Sequence, residues 1–133
     1  MNTLIKGDIA EKKFELLCIE KNIGIFKPVN SGNVIDYIII LNGIPQRVQI
    51  KYCTMRNGKI EMYMYKDSIN SKSSKRRFYT TANIDLFLVL CNDIWYSIPI
   101  TVKEQKCIIL RVNPTKNNQK SGVNFAEKYM LNW

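Results

Sequence analysis

Apolar positions near the start of the chain, Ile9, Phe14, Leu17 and Cys18, roughly follow a helical period. Asp8 stands where an N-cap belongs and Glu11, three residues on, completes a D-x-x-E capping box, so the spacing predicts a helix over Asp8 to Asn22, stopped by Gly24. Ile25 to Val29 reads as a short strand and Asn30 to Asn33 as a turn. Val34 to Leu41 is an apolar run broken only by Asp36, and the Asn42-Gly43 pair after it is a strong hairpin signal. Arg47 to Cys53 is then the returning strand. Asn57-Gly58 marks another turn, and Lys59 to Tyr65 alternates well enough to be a third strand of the same antiparallel meander.

The pattern changes over Lys66 to Ala82, where serines, Lys72, Lys75, Arg76 and Arg77 crowd a stretch with few aliphatic residues; it reads as a long loop or arm. Asp85 to Cys91 is a continuous apolar run of the kind that is buried on both faces of a sheet, and Ile94 to Ile98 pairs with it across Asn92-Asp93. Thr101 to Gln105 suits a short helix and Lys106 to Val112 a further strand. A polar loop around Lys116 to Gly122 leads to a last short helix over Val123 to Met130.

A chain of 133 residues, 46% of them hydrophobic, suits one domain with one core, spanning 1–133. No charged segment with an apolar h-region opens it, and no apolar run approaches the ~20 residues that cross a bilayer. The expectation is a soluble, cytoplasmic protein with no membrane partner. Its four cysteines, Cys18, Cys53, Cys91 and Cys107, have no short paired spacing and there is no histidine, which argues against a zinc ribbon and removes every His-dependent mechanism. They are expected to be reduced and structural. Twenty Lys and Arg against eleven Asp and Glu leave a net charge of +9, the footprint of a polyanion binder, although an AT-rich genome also enriches Lys and Asn.

Asp36 carries the most chemical information, because a carboxylate within Val-Ile-Asp-Tyr-Ile-Ile-Ile is costly to bury without a partner. Gln49 and Lys51 lie two apart on the returning strand and project from one face, so an aspartate, an amide oxygen and a lysine converge. A hard cation held by Asp36 and Gln49 would polarise a phosphodiester, and Lys51 would orient or help deprotonate water and offset transition-state charge. Glu11 offers a third oxygen beside the apolar helix face. Simpler readings stand next to these: Glu11 as a capping-box residue, Asp36 and Lys51 as a structural ion pair, the basic arm as a solvated loop. Among the polar-loop residues, Asn117 and Gln119 suit adenine contacts, yet turns explain asparagine equally well.

The residues quoted so far resemble a wider pattern. Gly7-Asp8-Ile9-Ala10-Glu11, the Asp36 strand, Arg47-Val48-Gln49-Ile50-Lys51, Arg77-Phe78-Tyr79, Ile84-Asp85-Leu86-Phe87, Tyr96-Ser97-Ile98-Pro99, Leu110-Arg111-Val112 and Pro114 to Gln119, closed by Ala126 and Tyr129, resemble the PD-(D/E)XK homing endonucleases encoded in bacterial group I introns. The resemblance covers nearly the whole chain. It implies an α/β fold with a restriction-endonuclease-like core, a central mixed β-sheet flanked by helices, and a site-specific, Mg²⁺-dependent endonuclease of double-stranded DNA in which Mn²⁺ substitutes. By that resemblance Glu11, Asp36, Gln49 and Lys51 stand at the active site, with metal held by Asp36, Gln49, Glu11 and main-chain oxygen at Ile50. A homo-oligomer, dimer or tetramer, is also implied. Gln49 replaces the second acid of the broad superfamily pattern, which bears on the number of metal ions. Lys72, Lys75, Arg76, Arg77, Lys116, Asn117, Gln119 and Lys120 are the candidate DNA contacts. Tyr79 is read as a packing residue and Asp85 as a strand-start partner for an arginine. A structure-selective nuclease such as a Holliday junction resolvase, or a catalytically silent DNA-binding module, are the rival readings.

Overall fold

The computed structural model describes residues 1–30, 32–69, 74–100, 106–113 and 117–133, with 66–69 and 74–76 described by their backbone only. The predicted helix at Thr101 to Gln105, and Lys72 and Lys116 as DNA contacts, lie outside the described residues.

Helix α1 runs Thr3–Glu20 and begins five residues earlier than its capping-box pattern suggests. Asn2 is the cap: its side chain accepts hydrogen bonds from the amides of Leu4 (2.8 Å) and Ile5 (3.2 Å). Asp8 and Glu11 are therefore interior residues and form no capping box. At the other end Asn22, at φ 55°, turns the chain. The amide of Ile23 returns to the Cys18 carbonyl (2.8 Å) and that of Asn22 to Ile19 (3.1 Å), a Schellman ending, so Asn22 rather than Gly24 stops the helix.

Among the described residues nine strands follow in chain order: β1 (Gly24–Phe26), β2 (Tyr37–Leu41), β3 (Ile44–Tyr52), β4 (Lys59–Tyr63), β5 (Tyr65–Ile69), β6 (Ser74–Phe78), β7 (Leu86–Cys91), β8 (Ile94–Pro99) and β9 (Cys107–Arg111). Five form a mixed sheet in the order β1-β2-β3-β7-β8, antiparallel except for the parallel pair β3 and β7. The Asn42-Gly43 turn has positive φ at both residues (51° and 77°), as a two-residue hairpin turn requires, and sets Leu41 opposite Ile44. Asn92-Asp93 (49° and 61°) does the same between β7 and β8.

Strand β7 is buried on both faces, as its unbroken apolar run predicts. Leu88 and Leu90 join a cluster with Ala10, Phe14 and Cys18 of α1, whereas Phe87, Val89 and Cys91 join one with Ile60, Met62 and Leu110. That second cluster explains why Lys59–Tyr63 does not extend the β2–β3 meander. Strand β3 is already paired with β7, and β4 instead pairs with β9, Ile60 opposite Leu110, to cover the face that α1 leaves open. The last segment is a 3-10 helix over Ala126–Tyr129 rather than an α-helix from Val123, and Ala126 and Tyr129 pack into the same cluster. Beyond it the Leu131 amide bonds the Trp95 carbonyl (2.9 Å), carrying Trp133 to within 6.1 Å of the Phe14 ring.

The basic stretch read as a loop is an antiparallel hairpin of β5 and β6, registered Tyr65 to Phe78 and Lys66 to Arg77. All four cysteines are free thiols, and burial pushes those of Cys18 and Cys53 up to about 11. Among the described residues no helix is long and apolar enough to cross a membrane.

Arg47 and Asp85 clamp the parallel pair at its start. The guanidinium donates to both carboxylate oxygens (3.0 and 2.9 Å) and to the carbonyls of Ala82 and Thr81, while the Arg47 amide also donates to Asp85 (2.8 Å). Asp85 is thus the arginine partner its position suggests, and its hydrogen bonds to Arg47 hold its pKa below the ordinary carboxylate value. A depressed folded-state pKa contributes stability above the unfolded value, ~3.9, that is lost as pH falls through the folded value. Asp85→Ala is therefore expected to lower the urea midpoint at pH 7 and to leave a shallower loss of stability below about pH 4, measured by denaturation at a series of pH values. Phe14→Ala, which empties the centre of the Tyr37, Trp95 and Trp133 ring cluster, should cost about 3–5 kcal/mol in the same measurement.

Candidate active site

Strand β2 begins at Tyr37, so Asp36 lies one residue before it rather than within it. Tyr37 pairs with Val48, and the Asp36 amide also donates to the Val48 carbonyl (2.9 Å), two residues facing one as in a β-bulge. The bulge turns the Asp36 carboxylate into the plane of the ladder. There Oδ2 accepts the Ile50 amide at 2.8 Å, the place that the next backbone carbonyl of β2 would have taken. In an extended residue the N–H and C=O point to the same edge, so the Ile50 carbonyl is directed to the edge occupied by Asp36.

Val48 and Ile50 pack in the α1-side cluster, and Gln49 and Lys51 between and after them face the other way. Gln49 lies beside Phe87 and Lys51 beside Val89 across the parallel ladder. The Gln49 Oε1 is buried with no hydrogen-bond partner. An unmet buried acceptor costs about 1–3 kcal/mol, so its persistence calls for a donor or cation absent from the polypeptide itself. Lys51 Nζ stands 5.3 Å from the centre of the Tyr79 ring and 5.9 Å from that of Phe87. Asp36 and Ile50 are thus joined by a hydrogen bond, and Gln49 and Lys51, on either side of Ile50 in β3, share the face turned away from α1.

Glu11 is half-buried on α1, on the opposite side of the sheet from Gln49 and Lys51. Its charge, with those of Glu15 and Asp36, acts on the Tyr37 phenol, whose pKa is raised chiefly by burial and next by its hydrogen bond to Glu15. Among the described residues no hydrogen bond ties Glu11 to Asp36 or Gln49, and no three of the Cys, Asp and Glu side chains gather as a metal cluster. Glu15, one turn later, accepts the Tyr37 hydroxyl at 2.8 Å and so anchors the residue next to Asp36 to the helix. The helical spacing from Glu11 was the available signal for it.

Tyr79 is buried, its amide bonded to the Met64 carbonyl (2.9 Å) and its ring edge-on to Phe87 at 5.1 Å. Burial first, and the Asp36 charge second, push its phenol up to about 12. Met64 and Tyr79 are also the root of the β5–β6 hairpin, which places the backbone of Lys75, Arg76 and Arg77 within a few residues of the site along the chain. The side chain of Arg77 is exposed; Lys75 and Arg76 share its strand. Beyond Lys51, a hollow of about 300 Å³ is lined by Tyr52, Cys53, Thr54, Arg56, Lys59, Glu61 and Tyr63, and its two cations have no motif to flag them in sequence. Gln119 and Lys120 are exposed, as is Asn117, whose Oδ1 accepts the Gln119 amide (3.1 Å), the turn role that its residue type equally allowed.

A carboxylate at the end of one strand, with an amide and a lysine two apart on its hairpin partner and a helix behind the sheet, defines a restriction-endonuclease-like core. The model of the PD-(D/E)XK endonuclease family matches residues 1–132, and this chain belongs to that family. A solved structure of a bacterial homing endonuclease, I-Ssp6803I, is similar in fold, with a TM-score of 0.75 and 19% identity over 98% of this chain and 89% of that one. No curated protein matches the chain.

The donors present, the Asp36 carboxylate, the unmet Gln49 oxygen and the Ile50 carbonyl edge, fit a hard divalent cation. Gln49→Met keeps side-chain length and removes the unmet oxygen. It should leave the metal-free protein as stable or about 1 kcal/mol more stable, and should show none of the rise in melting temperature with Mg²⁺ that is expected of the parent. Thermal melts of both proteins with and without Mg²⁺ check this.

Proposed function

We propose that this endonuclease is a site-specific, Mg²⁺-dependent homing endonuclease that hydrolyses both strands of duplex DNA as a homo-oligomer, in the cytoplasm. The observation that carries the metal dependence is the buried Gln49 Oε1 without a partner, next to the strand edge that Asp36 caps. Bound there, Mg²⁺, or Mn²⁺ in its place, would supply a Lewis acid for the phosphoryl oxygen and a lowered pKa for the attacking water.

The chain's own groups divide the remaining work. Asp36 and Gln49 present oxygen ligands with the Ile50 carbonyl, and Glu11 adds a carboxylate from the far side of the sheet. Lys51 places a positive charge against the developing charge on the phosphoryl oxygens and orients the water. The net charge of +9 supports a polyanionic substrate, and the basic hairpin rooted at Met64 and Tyr79 supports phosphate contacts by Lys75, Arg76 and Arg77 close to the scissile bond. Lys72, Lys116, Asn117, Gln119 and Lys120 are further DNA contacts in this reading. The homing role follows the sequence resemblance and the likeness in fold to I-Ssp6803I, and the oligomer follows the sequence resemblance alone. A single centre hydrolyses one phosphodiester at a time, and two copies related by symmetry deliver one centre to each strand.

A plasmid library of random inserts, incubated with the protein and Mg²⁺, tests the proposal by sequencing of the cut ends. One recovered site with a fixed stagger is expected; cutting only at four-way junctions would favour a resolvase, and intact DNA bound with a steep salt dependence a silent binder. On the recovered site, Asp36→Asn and Lys51→Ala are expected to abolish cleavage while leaving folded, DNA-binding protein. Changing Lys75, Arg76 and Arg77 together to Ala should weaken binding to all duplexes alike. The slope of log affinity against log salt should fall by about one unit per lost phosphate contact.

A further inference from the structure

Lys51 ends in an ammonium on a flexible four-carbon stem, and charge stabilisation at a reacting phosphate requires that ammonium to stay in one place. Two rings lie beneath it: Nζ is 5.3 Å from the Tyr79 ring centre and 5.9 Å from that of Phe87, both within the ~6 Å over which a ring face attracts a cation. The rings are themselves fixed. Phe87 is fully buried in β7 beside Gln49, and Tyr79 is 3% exposed, meets Phe87 nearly edge-on (72°) and is held by its amide at Met64. No motif of acid-base or metal chemistry includes Tyr79, and packing alone does not require an aromatic ring under a lysine.

We propose that Tyr79 is a positioning residue of the endonuclease: its ring face, braced by Phe87, holds the Lys51 ammonium in place and aimed at the scissile phosphate. This rests on the reading of Lys51 as the transition-state cation. The ring, not the hydroxyl, performs the task, so Tyr79→Phe should cleave at near the parental rate while Tyr79→Leu loses it. A partly desolvated cation–π contact corresponds to roughly a 3- to 30-fold change, and that loss should fall on kcat, with KM for DNA little changed.

The experiment measures cleavage of the best-cut insert recovered from the random library, for the parent, Lys51→Ala, Tyr79→Phe and Tyr79→Leu, with the melting temperature of each. A fluorinated series of phenylalanines at position 79 keeps the ring's shape while draining charge from its face, and so reports even if the leucine variant does not fold. A stepwise fall of kcat with fluorination, with KM for DNA little changed, supports the inference. Equal kcat across the series, with Lys51→Ala inactive, overturns it and leaves the nuclease reading intact. A parent that cuts no insert, or a Lys51→Ala variant as fast as the parent, overturns both the inference and the reading beneath it.

Discussion

The register of β2 against β3 is the constraint from which the candidate site follows. Asn42 and Gly43 adopt the left-handed backbone of a tight hairpin, and that turn sets Leu41 opposite Ile44 and, four pairs on, Tyr37 opposite Val48. A slip by one residue would exchange the two faces, bringing Gln49 and Lys51 against α1 and moving Val48 and Ile50 to the opposite face. The penalty for that exchange is large because both faces are covered, one by Ala10, Phe14 and Cys18 and the other by the β4–β9 pair. With the register held, the bulge at Asp36 is free to spend one ladder position on a carboxylate, and the Ile50 amide accepts the substitution.

Much of this was legible in the sequence because it is local. The Asn42-Gly43 turn, the lone acid in an apolar run, the two-residue spacing of Gln49 and Lys51 and the unbroken run that became β7 are all signals within about ten residues. Where the sequence misled, a distant partner decided the outcome. Lys59–Tyr63 alternates like a meander strand, but the edge of β3 is taken in parallel by Leu86–Cys91, and β4 pairs instead with Cys107–Arg111. Asp8 and Glu11 match a capping box, yet Asn2 supplies an earlier cap and the helix runs through both. The β5–β6 hairpin was hidden because lysines, arginines and serines give no alternation of burial to read. Of the site, Gln49 and Lys51 were visible from spacing, whereas the two rings beneath Lys51 come together only when β7 and the root of the basic hairpin meet.

The site also shows a conflict between stability and function of the kind expected at a working centre. Elsewhere the chain satisfies its polar groups closely: Arg47 makes four side-chain hydrogen bonds, and Tyr37 finds Glu15. At Gln49 a buried oxygen is left unmet. The same residue in an apolar form would pack without that cost, and the ligand role proposed for the amide accounts for its place there.

The central claim is that Asp36, Gln49 and the Ile50 carbonyl form one cation site. Crystals of the protein with DNA and Ca²⁺, a cation that occupies oxygen sites at roughly 2.3–2.6 Å, test it directly through anomalous scattering. The account predicts a peak within that distance of an Asp36 carboxylate oxygen, of Gln49 Oε1 and of the Ile50 carbonyl oxygen. A peak coordinated without Gln49 and Ile50, or a Gln49 amide that meets a DNA donor with the cation elsewhere, would contradict it.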